Sequence, residues 1–458
     1  MAINSLKRLA LLGSVAIGLA LPARAQDSGP LLDLLVKKGI VNDQEAEDIR
    51  AALVKDFAAN TSAGKLNLSP ALTEFALSGD MRLREQFETQ RTIAVPGTAS
   101  VANERERVRL RFRLNGDLKL QSGWGAGFSL QTAQNADSAN QTLDNIGTNY
   151  GIYLARAYVS YQPSLNWFFT GGKFKNPFFT TDLVWDADIN PQGFAETHTT
   201  FLNGKDTFEV RAGQLVMKDN AEAIAAGAAP TTGVDAWLFD QQLVYTKWFG
   251  AENLSDVLFA PGFMFYNAST ITSQVSGTNK EQAYNGSTKY LKIVTLPGEV
   301  NFANIYGTGT QLKTYWDFTY NTAANDRAHQ SVANGGYGLP ATTNKGAMSW
   351  LVGLGYGYGQ GKNKGDYSLK ADYRQTGISA LDPNITDSDF AFNRLNQKGY
   401  KFSGSYNLTD FASLTVTYFI TSRLNDSINT KAPALAADPT LSDLNSTNTL
   451  QVDLNVKF

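Results

Sequence analysis

The stretch that decides the fold is Arg105–Leu120, RERVRLRFRLNGDLKL, in which polar and apolar residues alternate at every position from Arg107 onwards. Successive side chains of a β-strand point to opposite faces, so this pattern predicts a strand with one charged face and one apolar face. A short turn follows at Gln121, and the alternation returns from Trp124 to Gln131. The two segments therefore predict an antiparallel hairpin.

The charged face of this hairpin must be in contact with water. Arginine occupies every second position from Arg105 to Arg113. Turning these side chains towards hydrocarbon would cost on the order of 10 kcal/mol, which is comparable to the whole stability of a domain. Two folds meet this requirement. In a soluble sandwich the apolar face lines a core, whereas in a transmembrane barrel it contacts lipid and the arginines line a wet lumen.

The same unit recurs along the chain from Phe75 onwards. The predicted strands are Phe75–Phe87, Arg105–Leu120, Trp124–Gln134, Gly151–Gln162, Trp167–Lys175, Gly193–Leu202, Thr207–Val216, Trp237–Phe249, Val257–Asn267, Tyr290–Phe302, Gln311–Asn321, Gly346–Tyr358, Asp366–Thr376, Gln397–Asn407, Phe411–Arg423 and Thr447–Phe458. They number about 16, and an even number is expected when both ends of a bacterial barrel lie in the periplasm.

The connections between these segments alternate in length. Short connections alternate with long polar ones along the chain. The short ones include Pro163–Asn166, Asn203–Asp206 and Leu408–Asp410, and the long ones include Met217–Asp235, Thr322–Lys345 and Leu424–Ser446. Outer-membrane barrels have short periplasmic turns and long external loops, and a soluble sandwich has no reason for that alternation. Aromatic residues near strand ends, such as Trp167 and Trp248, are typical of the two membrane-surface girdles, although each cluster is also compatible with ordinary β packing. The sequence therefore predicts an all-β fold, a transmembrane antiparallel β-barrel.

The N-terminal part predicts export and a separate helical segment. Met1–Ala25 has a positively charged start, an uncharged apolar run and a small-residue cleavage motif, which predict a secretory signal peptide. The run is too short for a retained membrane anchor, which would need about 20 apolar residues. Residues 26–69 are predicted as a short periplasmic helical segment with a linker, because Asn42 and Glu45 have the spacing of a capping box. Residues 70–458 are predicted as the barrel.

Composition excludes several classes of function. The 458 residues contain no cysteine and two histidines, so disulfide scaffolds, thiolate metal sites and cysteine nucleophiles are excluded, and little imidazole chemistry remains. The formal net charge of −2 gives no argument for nucleic-acid binding. Motifs of phosphate-binding loops, zinc proteases and serine hydrolases are absent. We therefore predict a protein that is not an enzyme, with no cofactor, no metal and no nucleic-acid partner.

Several stretches resemble bacterial outer-membrane porins, specifically the "putative porin" family with a short helical preface. They are Leu77–Glu88, Glu104–Leu114, Trp124–Thr132, Ala155–Pro163 and, as the most specific, Gly171–Phe194. The last strand also ends on Phe458, which is similar to the assembly signal of porins. The resemblance implies a water-filled barrel for small solutes. It further implies a homotrimer in the outer membrane of a Gram-negative bacterium, in contact with lipid and lipopolysaccharide.

Candidate pore residues lie on the polar strand faces and on one loop. Asn176–Gln192 is the third external loop, and in porins of this general type that loop folds inward and narrows the channel. The predicted pore-lining and constriction residues are Arg82, Arg84, Arg105, Arg107, Arg109, Arg111, Arg113, Arg156, Lys173, Lys175, Asp182, Asp186 and Asp188. Acids on the loop facing bases on the wall would produce a transverse field in a narrow aqueous gap.

Each of these sets also has a structural interpretation. Some of the arginines could only pair with Glu85, Glu88, Glu104 or Glu106 near the rim, because lumen charges often compensate one another. The loop aspartates are also good turn formers. Asp186–Pro191 matches the start of a calcium loop, but proline stands where that loop needs glycine and an acidic twelfth ligand is missing, which disfavours bound Ca²⁺.

The predicted function is an outer-membrane porin for passive diffusion of small hydrophilic solutes and ions through a charged constriction. The arginine excess favours anions weakly. The alternative is a structural barrel that anchors the envelope while its N-terminal helices bind a periplasmic or cell-wall partner. An outer-membrane hydrolase is disfavoured, because His198 and His329 are solitary and no serine–histidine pair has a recognisable spacing.

Overall fold

The computed structural model of the chain describes most of residues 70–458 and a few residues before them. The described residues are 36–38, 41–42, 44–49, 69–92, 102–133, 135, 137–219, 235–250, 252, 254–268, 288–333, 337–338, 346–426, 429–430 and 444–458. The chain divides into two compact units, residues 1–69 and residues 70–458. The predicted signal peptide, Met1–Ala25, lies outside the described residues.

In the first unit, residues 44–49 form a helix that begins beside a capping box. The Asn42 backbone N–H donates to the Glu45 carboxylate at 3.0 Å, and the Glu45 N–H donates to the Asn42 side-chain oxygen at 2.9 Å. The two bonds satisfy backbone groups that have no partner within the helix. The predicted capping box is therefore confirmed. Among the described residues, no helix has the length and apolar character needed to cross a bilayer.

The second unit is a closed antiparallel barrel of 16 strands. The strands are β1 (Leu72–Thr92), β2 (Ala102–Leu120), β3 (Trp124–Thr132), β4 (Ile152–Ser164), β5 (Trp167–Lys173), β6 (Gln192–Phe201), β7 (Thr207–Lys218), β8 (Ala236–Phe249), β9 (Ser255–Phe259 with Gly262–Tyr266), β10 (Lys292–Thr295 with Gly298–Ile305), β11 (Thr310–Asn321), β12 (Met348–Tyr358), β13 (Tyr367–Thr376), β14 (Gln397–Asn407), β15 (Ala412–Arg423) and β16 (Leu444–Lys457). Each pairs with its neighbours in the chain, and β16 pairs with β1, so the sheet has no free edge. The predicted fold class is confirmed, and every predicted strand overlaps an observed one.

Strands β9 and β10 differ from the prediction because each is interrupted at a proline. Pro261 separates the two pieces of β9, and Pro297 separates the two pieces of β10. Proline has no N–H to donate to the ladder, so strands break or bulge there. The neighbouring backbone still pairs across the gap, since the Ala260 N–H donates to the Pro297 carbonyl at 2.9 Å. The wall therefore stays closed at this level.

The apolar faces of the strands point outwards. Leu154, Leu354 and Leu369 expose 59%, 57% and 56% of their surface on the outside of the barrel. On the opposite face of the sheet, Arg84 and Arg111 are buried in the lumen at 4% and 9% exposure. A sandwich would have the opposite arrangement, with apolar side chains in the core. The predicted choice between the two folds is confirmed in favour of the barrel.

Outward-facing aromatic rings gather at two levels. Near the short turns, Trp124 stacks on Tyr161 with ring centroids 4.6 Å apart. Near the long loops, Tyr373 packs on Tyr400 at 4.8 Å, in strands β13 and β14. Rings of this kind are favourable at the headgroup level, where one part is apolar and another wet. The two levels correspond to the expected girdles.

The first short turn shows why glycine is needed there. Ser122 and Gly123, between β2 and β3, have φ angles of 58° and 79°. A Cβ at Gly123 would lie 2.2 Å from the carbonyl oxygen of Gln162, so no larger residue fits. The turn brings β3 back beside β2 in the register that the sequence predicted.

Candidate functional site

The third long loop lies inside the barrel. This loop, L3, is residues 174–191 between β5 and β6. Its side chains Phe178, Leu183 and Trp185 pack in one buried cluster with inward-facing residues of the wall, including Leu238 of β8 and Leu351 of β12. Because apolar residues on the inner face of these strands are covered by L3, the loop occupies part of the lumen and narrows it.

Hydrogen bonds fix L3 to two strands. The Phe179 backbone N–H donates to Gln242 Oε1 of β8 at 2.8 Å, and Gln242 Nε2 donates back to the Phe179 carbonyl at 2.8 Å. Thr181 Oγ1 donates to Asp317 Oδ2 of β11 at 2.8 Å. The two bonds to Gln242 satisfy backbone groups of a segment that has no strand partner, and the Thr181–Asp317 bond joins two side chains.

A second loop also enters the lumen. This loop, L7, is residues 377–396 between β13 and β14, and its Leu381 and Ile385 belong to the same buried cluster as L3. The Asp186 N–H of L3 donates to the Ile385 carbonyl at 2.7 Å, and the Ser388 N–H donates to Asp186 Oδ2 at 2.9 Å. We call this contact the L3–L7 clasp.

The three predicted loop aspartates have different environments. Asp182 forms an ion pair with Lys401 of β14 at 2.5 Å, and the positive charge of that lysine lowers the pKa of Asp182 to about 2. Asp188 lies 3.6 Å from Arg113 of β2. Asp186 is buried in the clasp, where burial and then the carboxylate of Asp387 raise its pKa to about 8. Two of the three therefore meet bases on the wall, and the third is part of a loop contact.

The arginines of β1 and β2 form a paired network. Arg84 binds Asp453 of β16 at 2.7 and 2.9 Å, and its other nitrogen lies 3.4 Å from Asp389 of L7. Arg111 and Arg113 share Asp80, at 2.6 and 2.7 Å. The carboxylates that pair with these arginines on the wall are therefore Asp80 and Asp453, which the sequence analysis did not consider as partners.

Among the remaining predicted bases, Arg107 has a carboxylate partner, and Arg82, Arg109 and Arg156 donate to neutral groups. Arg107 pairs with Glu88, as the structural interpretation expected, and Arg82 donates to Asn140. Arg109 donates to Gln86 at 3.2 Å, and Arg156 donates to Asn115 at 2.7 Å. Within the described part of the chain, Arg105, Lys173 and Lys175 have no hydrogen bond or ion pair of their side chains in this network.

Other lumen residues were missed by the sequence analysis. Lys370, Asp372 and Arg374 alternate on the inner face of β13, and this period-two pattern would have been enough to find them. Lys401 could have been found in the same way. L7 offered no such signal, because a loop has no periodicity and its inward position depends on packing against L3.

A polar cavity of about 590 Å³ lies between L3 and the wall. Its charged lining residues are Arg82, Arg84, Lys313, Lys370 and Lys401 together with Asp182, Glu299, Asp372, Asp389 and Asp453. Both signs of charge are therefore present around this one cavity. In the part of the chain that the structure describes, no group of three or more His, Cys, Asp and Glu side chains could hold a metal ion.

The family match identifies the class of protein. The family model described as "Putative porin" matches residues 85–274 and 261–458, which is most of the chain. The chain belongs to this porin family. Together with the barrel of 16 strands, this makes the protein a multi-pass β-barrel of the outer membrane of a Gram-negative bacterium. Among curated proteins, no sequence matches the porin.

Three solved structures with a similar arrangement are distant in sequence. OprB of Pseudomonas putida is 10% identical over 84% of this porin and 94% of that chain, with a TM-score of 0.48. An anion-selective porin of Comamonas acidovorans is 12% identical over 84% and 99% of the two chains, with a TM-score of 0.42. A mutant porin of Rhodopseudomonas blastica is 10% identical over 84% and 100%, with a TM-score of 0.39.

The family and the fold indicate a channel rather than an enzyme. His198, the histidine with a defined strand position, lies on β6 and packs edge-on against Trp167 with centroids 4.5 Å apart. Its neighbour is an aromatic ring of the wall. His198 is thus part of the aromatic surface of the porin, away from the lumen contacts of L3.

Proposed function

We propose that this porin allows passive diffusion of small hydrophilic solutes and ions through a charged constriction between L3 and the barrel wall. The observation that carries the proposal is the polar cavity beside L3, in which Asp182 on the loop faces Lys401 on the wall. Charges of opposite sign across a narrow aqueous gap orient water and select permeants by their charge. The aspartates and bases predicted from the sequence are the proposed constriction residues.

A weak preference for anions is part of the proposal. It is supported by Arg156, which donates to the amide of Asn115, and by Arg109, which donates to the amide of Gln86, the hydroxyl of Ser138 and the carbonyl of Asn140. Their positive charge is therefore not cancelled by a carboxylate in contact with it. A wall with uncompensated cations raises the local anion concentration.

The proposal includes the processing and assembly of the protein. Met1–Ala25 is removed as a signal peptide, residues 26–69 form a periplasmic helical segment, and residues 70–458 form the membrane domain. We propose that three copies assemble in the membrane, in contact with lipid and lipopolysaccharide. The support for assembly is the resemblance to porins and the wide apolar outer face of the barrel.

The test is electrical. The purified protein is inserted into a planar bilayer, and the reversal potential is measured under a salt gradient of potassium chloride. We expect stepwise conductance and a reversal potential on the chloride side. A bilayer that stays closed would contradict the porin function, and a reversal potential on the potassium side would contradict the anion preference alone.

A further inference from the structure

Lys370 is an exposed cation on the inner face of β13, in the middle of the barrel wall. The strand register places it beside Gly355 of β12 on one side and Ser403 of β14 on the other. Gly355 in turn lies beside Lys313 of β11. One row across four strands therefore contains a lysine, a glycine, a second lysine and a serine, all on the lumen face.

Gly355 leaves a gap about the size of one methyl group between the two lysine side chains. A Cβ at this glycine would lie 3.5 Å from the Cβ of Lys313 and 3.7 Å from the Cγ of Lys370. The aliphatic parts of both lysines therefore stand on either side of bare backbone. Neighbouring strands are about 4.8 Å apart, so the two lysines are separated by about twice that distance at their Cα atoms. A small anion placed above Gly355 would lie between these two lysine side chains.

The other cations around the cavity are already engaged. Arg84 binds Asp453, Lys401 binds Asp182 and Lys313 pairs with Glu299. Arg82 donates to Asn140 and lies 3.9 Å from Asp453. Lys370 has no carboxylate within ion-pair distance among the described residues. It is the cation here whose charge remains available to a ligand.

Lys370 also lies where two spaces of the lumen meet. It lines the cavity beside L3 and a second cavity of about 280 Å³ towards the short turns, and Lys313 lines both as well. A solute that moves from the first cavity to the second along β11–β14 comes next to these two lysines. The position therefore suits a transient binding step in permeation, where binding must be weak enough for release.

Hydroxyl groups line the path next to Lys370. Ser403 and Thr417 lie 3.2 Å apart across β14 and β15, and Ser405 and Thr415 lie 3.0 Å apart one step further along the same strands. Side-chain hydroxyls both donate and accept hydrogen bonds, so they match hydroxyl groups of a ligand. The row thus combines a cation for a negative group with a polar strip for hydroxyls.

We propose that Lys370, with Lys313 and the gap over Gly355, forms a binding site for small hydroxylated carboxylates on their way through the pore. The carboxylate lies over Gly355 against Lys370, and the hydroxyls contact the Ser403–Thr417 side of the passage. This inference rests on the proposed function, because the ligand reaches the site only through an open lumen. It differs from the general anion preference in assigning one residue and one class of solute.

The test uses current block by gluconate, a hydroxylated carboxylate. Single channels are recorded in potassium chloride with increasing gluconate, and the half-blocking concentration is measured. In Lys370→Gln we expect this concentration to rise about tenfold, because one charge-assisted contact is lost. Lys370→Arg should retain most of the block. Gly355→Ala, whose added Cβ makes only ordinary van der Waals contacts, should weaken the block by filling the gap.

The matched control is Lys362→Gln, which removes a lysine from the turn between β12 and β13 and should leave the half-blocking concentration unchanged. The same half-blocking concentration in the wild type and in Lys370→Gln would overturn the site. A half-blocking concentration that rises as much in Lys362→Gln as in Lys370→Gln would overturn it as well. Block by uncharged sorbitol with the same dependence on Lys370 would overturn the carboxylate assignment. A wild type that does not conduct at all would instead contradict the proposed porin function.

Discussion

Arg84 joins three parts of the porin through one guanidinium group. It lies on β1, binds Asp453 on β16 and reaches Asp389 on L7. The side chains of Arg84 and Asp453 are 5% and 7% exposed, so water screens this pair weakly. The sequence predicted a lumen role for Arg84 from its parity on the strand. Its partner could not be predicted, because Asp453 is 369 positions away and becomes adjacent only when the barrel closes.

We expect Arg84→Met to destabilise the folded barrel by about 3 kcal/mol, because it leaves the buried carboxylate of Asp453 with no cation among the described residues closer than Arg82 at 3.9 Å. The measurement is the free energy of unfolding in detergent, followed by tryptophan fluorescence in urea. The control is Lys119→Met, which breaks a pair with Glu74 at the exposed rim, where the lysine is 71% exposed. That change should cost less than about 1 kcal/mol. An equal decrease in the free energy of unfolding of the two variants would contradict the structural importance of the Arg84 network.

At the scale of elements, L3 and L7 hold each other inside the lumen. The clasp includes the Asp186 N–H to the Ile385 carbonyl and the Asp387 N–H to the Asp182 carbonyl, at 2.7 and 3.4 Å. The inward fold of L3 was expected from the resemblance to porins, but the partner loop was not. Its position depends on the packing of apolar side chains from both loops, which no local pattern in the sequence records.

The clasp should respond to pH through Asp186. Its pKa is raised from 3.8 to about 8, first by burial and then by the negative charge of Asp387. The folded contact therefore holds a proton that the separated loops would release. The contribution of protonated Asp186 to the stability of the clasp is fully present below about pH 4. It is lost as the pH rises through about 8. We expect open-channel current noise to increase between pH 6 and pH 9, as the ionised carboxylates loosen the two loops.

The variant that tests this is Asp186→Asn, which keeps the size of the side chain and removes the titration. Its current noise should stay constant between pH 6 and pH 9. Asp144→Asn, which removes a carboxylate from the loop between β3 and β4, is the control and should retain the wild-type pH dependence. A wild-type profile in Asp186→Asn would show that another group causes the change.

At the scale of the whole molecule, the barrel follows from a pattern that is local in sequence. Period-two alternation identified all 16 strands, because each strand must present one face to lipid and one to water. The interruptions at Pro261 and Pro297 were not predicted, since the alternation continues on both sides of them. Among the charge pairs inside the lumen, the sequence analysis considered only pairs of arginines with nearby glutamates, such as Arg107 with Glu88. Their pairing is set by strand register and by the two loops, both of which are long-range properties.

The central claim is that the apolar face of every strand contacts lipid while the polar face contacts channel water. The chain has no native cysteine, so single cysteines can be placed at Phe402→Cys and Ser403→Cys, neighbours on β14. We predict that a charged thiol reagent reduces the conductance of Ser403→Cys alone, and that a fluorophore on Phe402→Cys alone is quenched by brominated lipid. Block of the channel through Phe402→Cys, or lipid quenching at Ser403→Cys, would contradict the account.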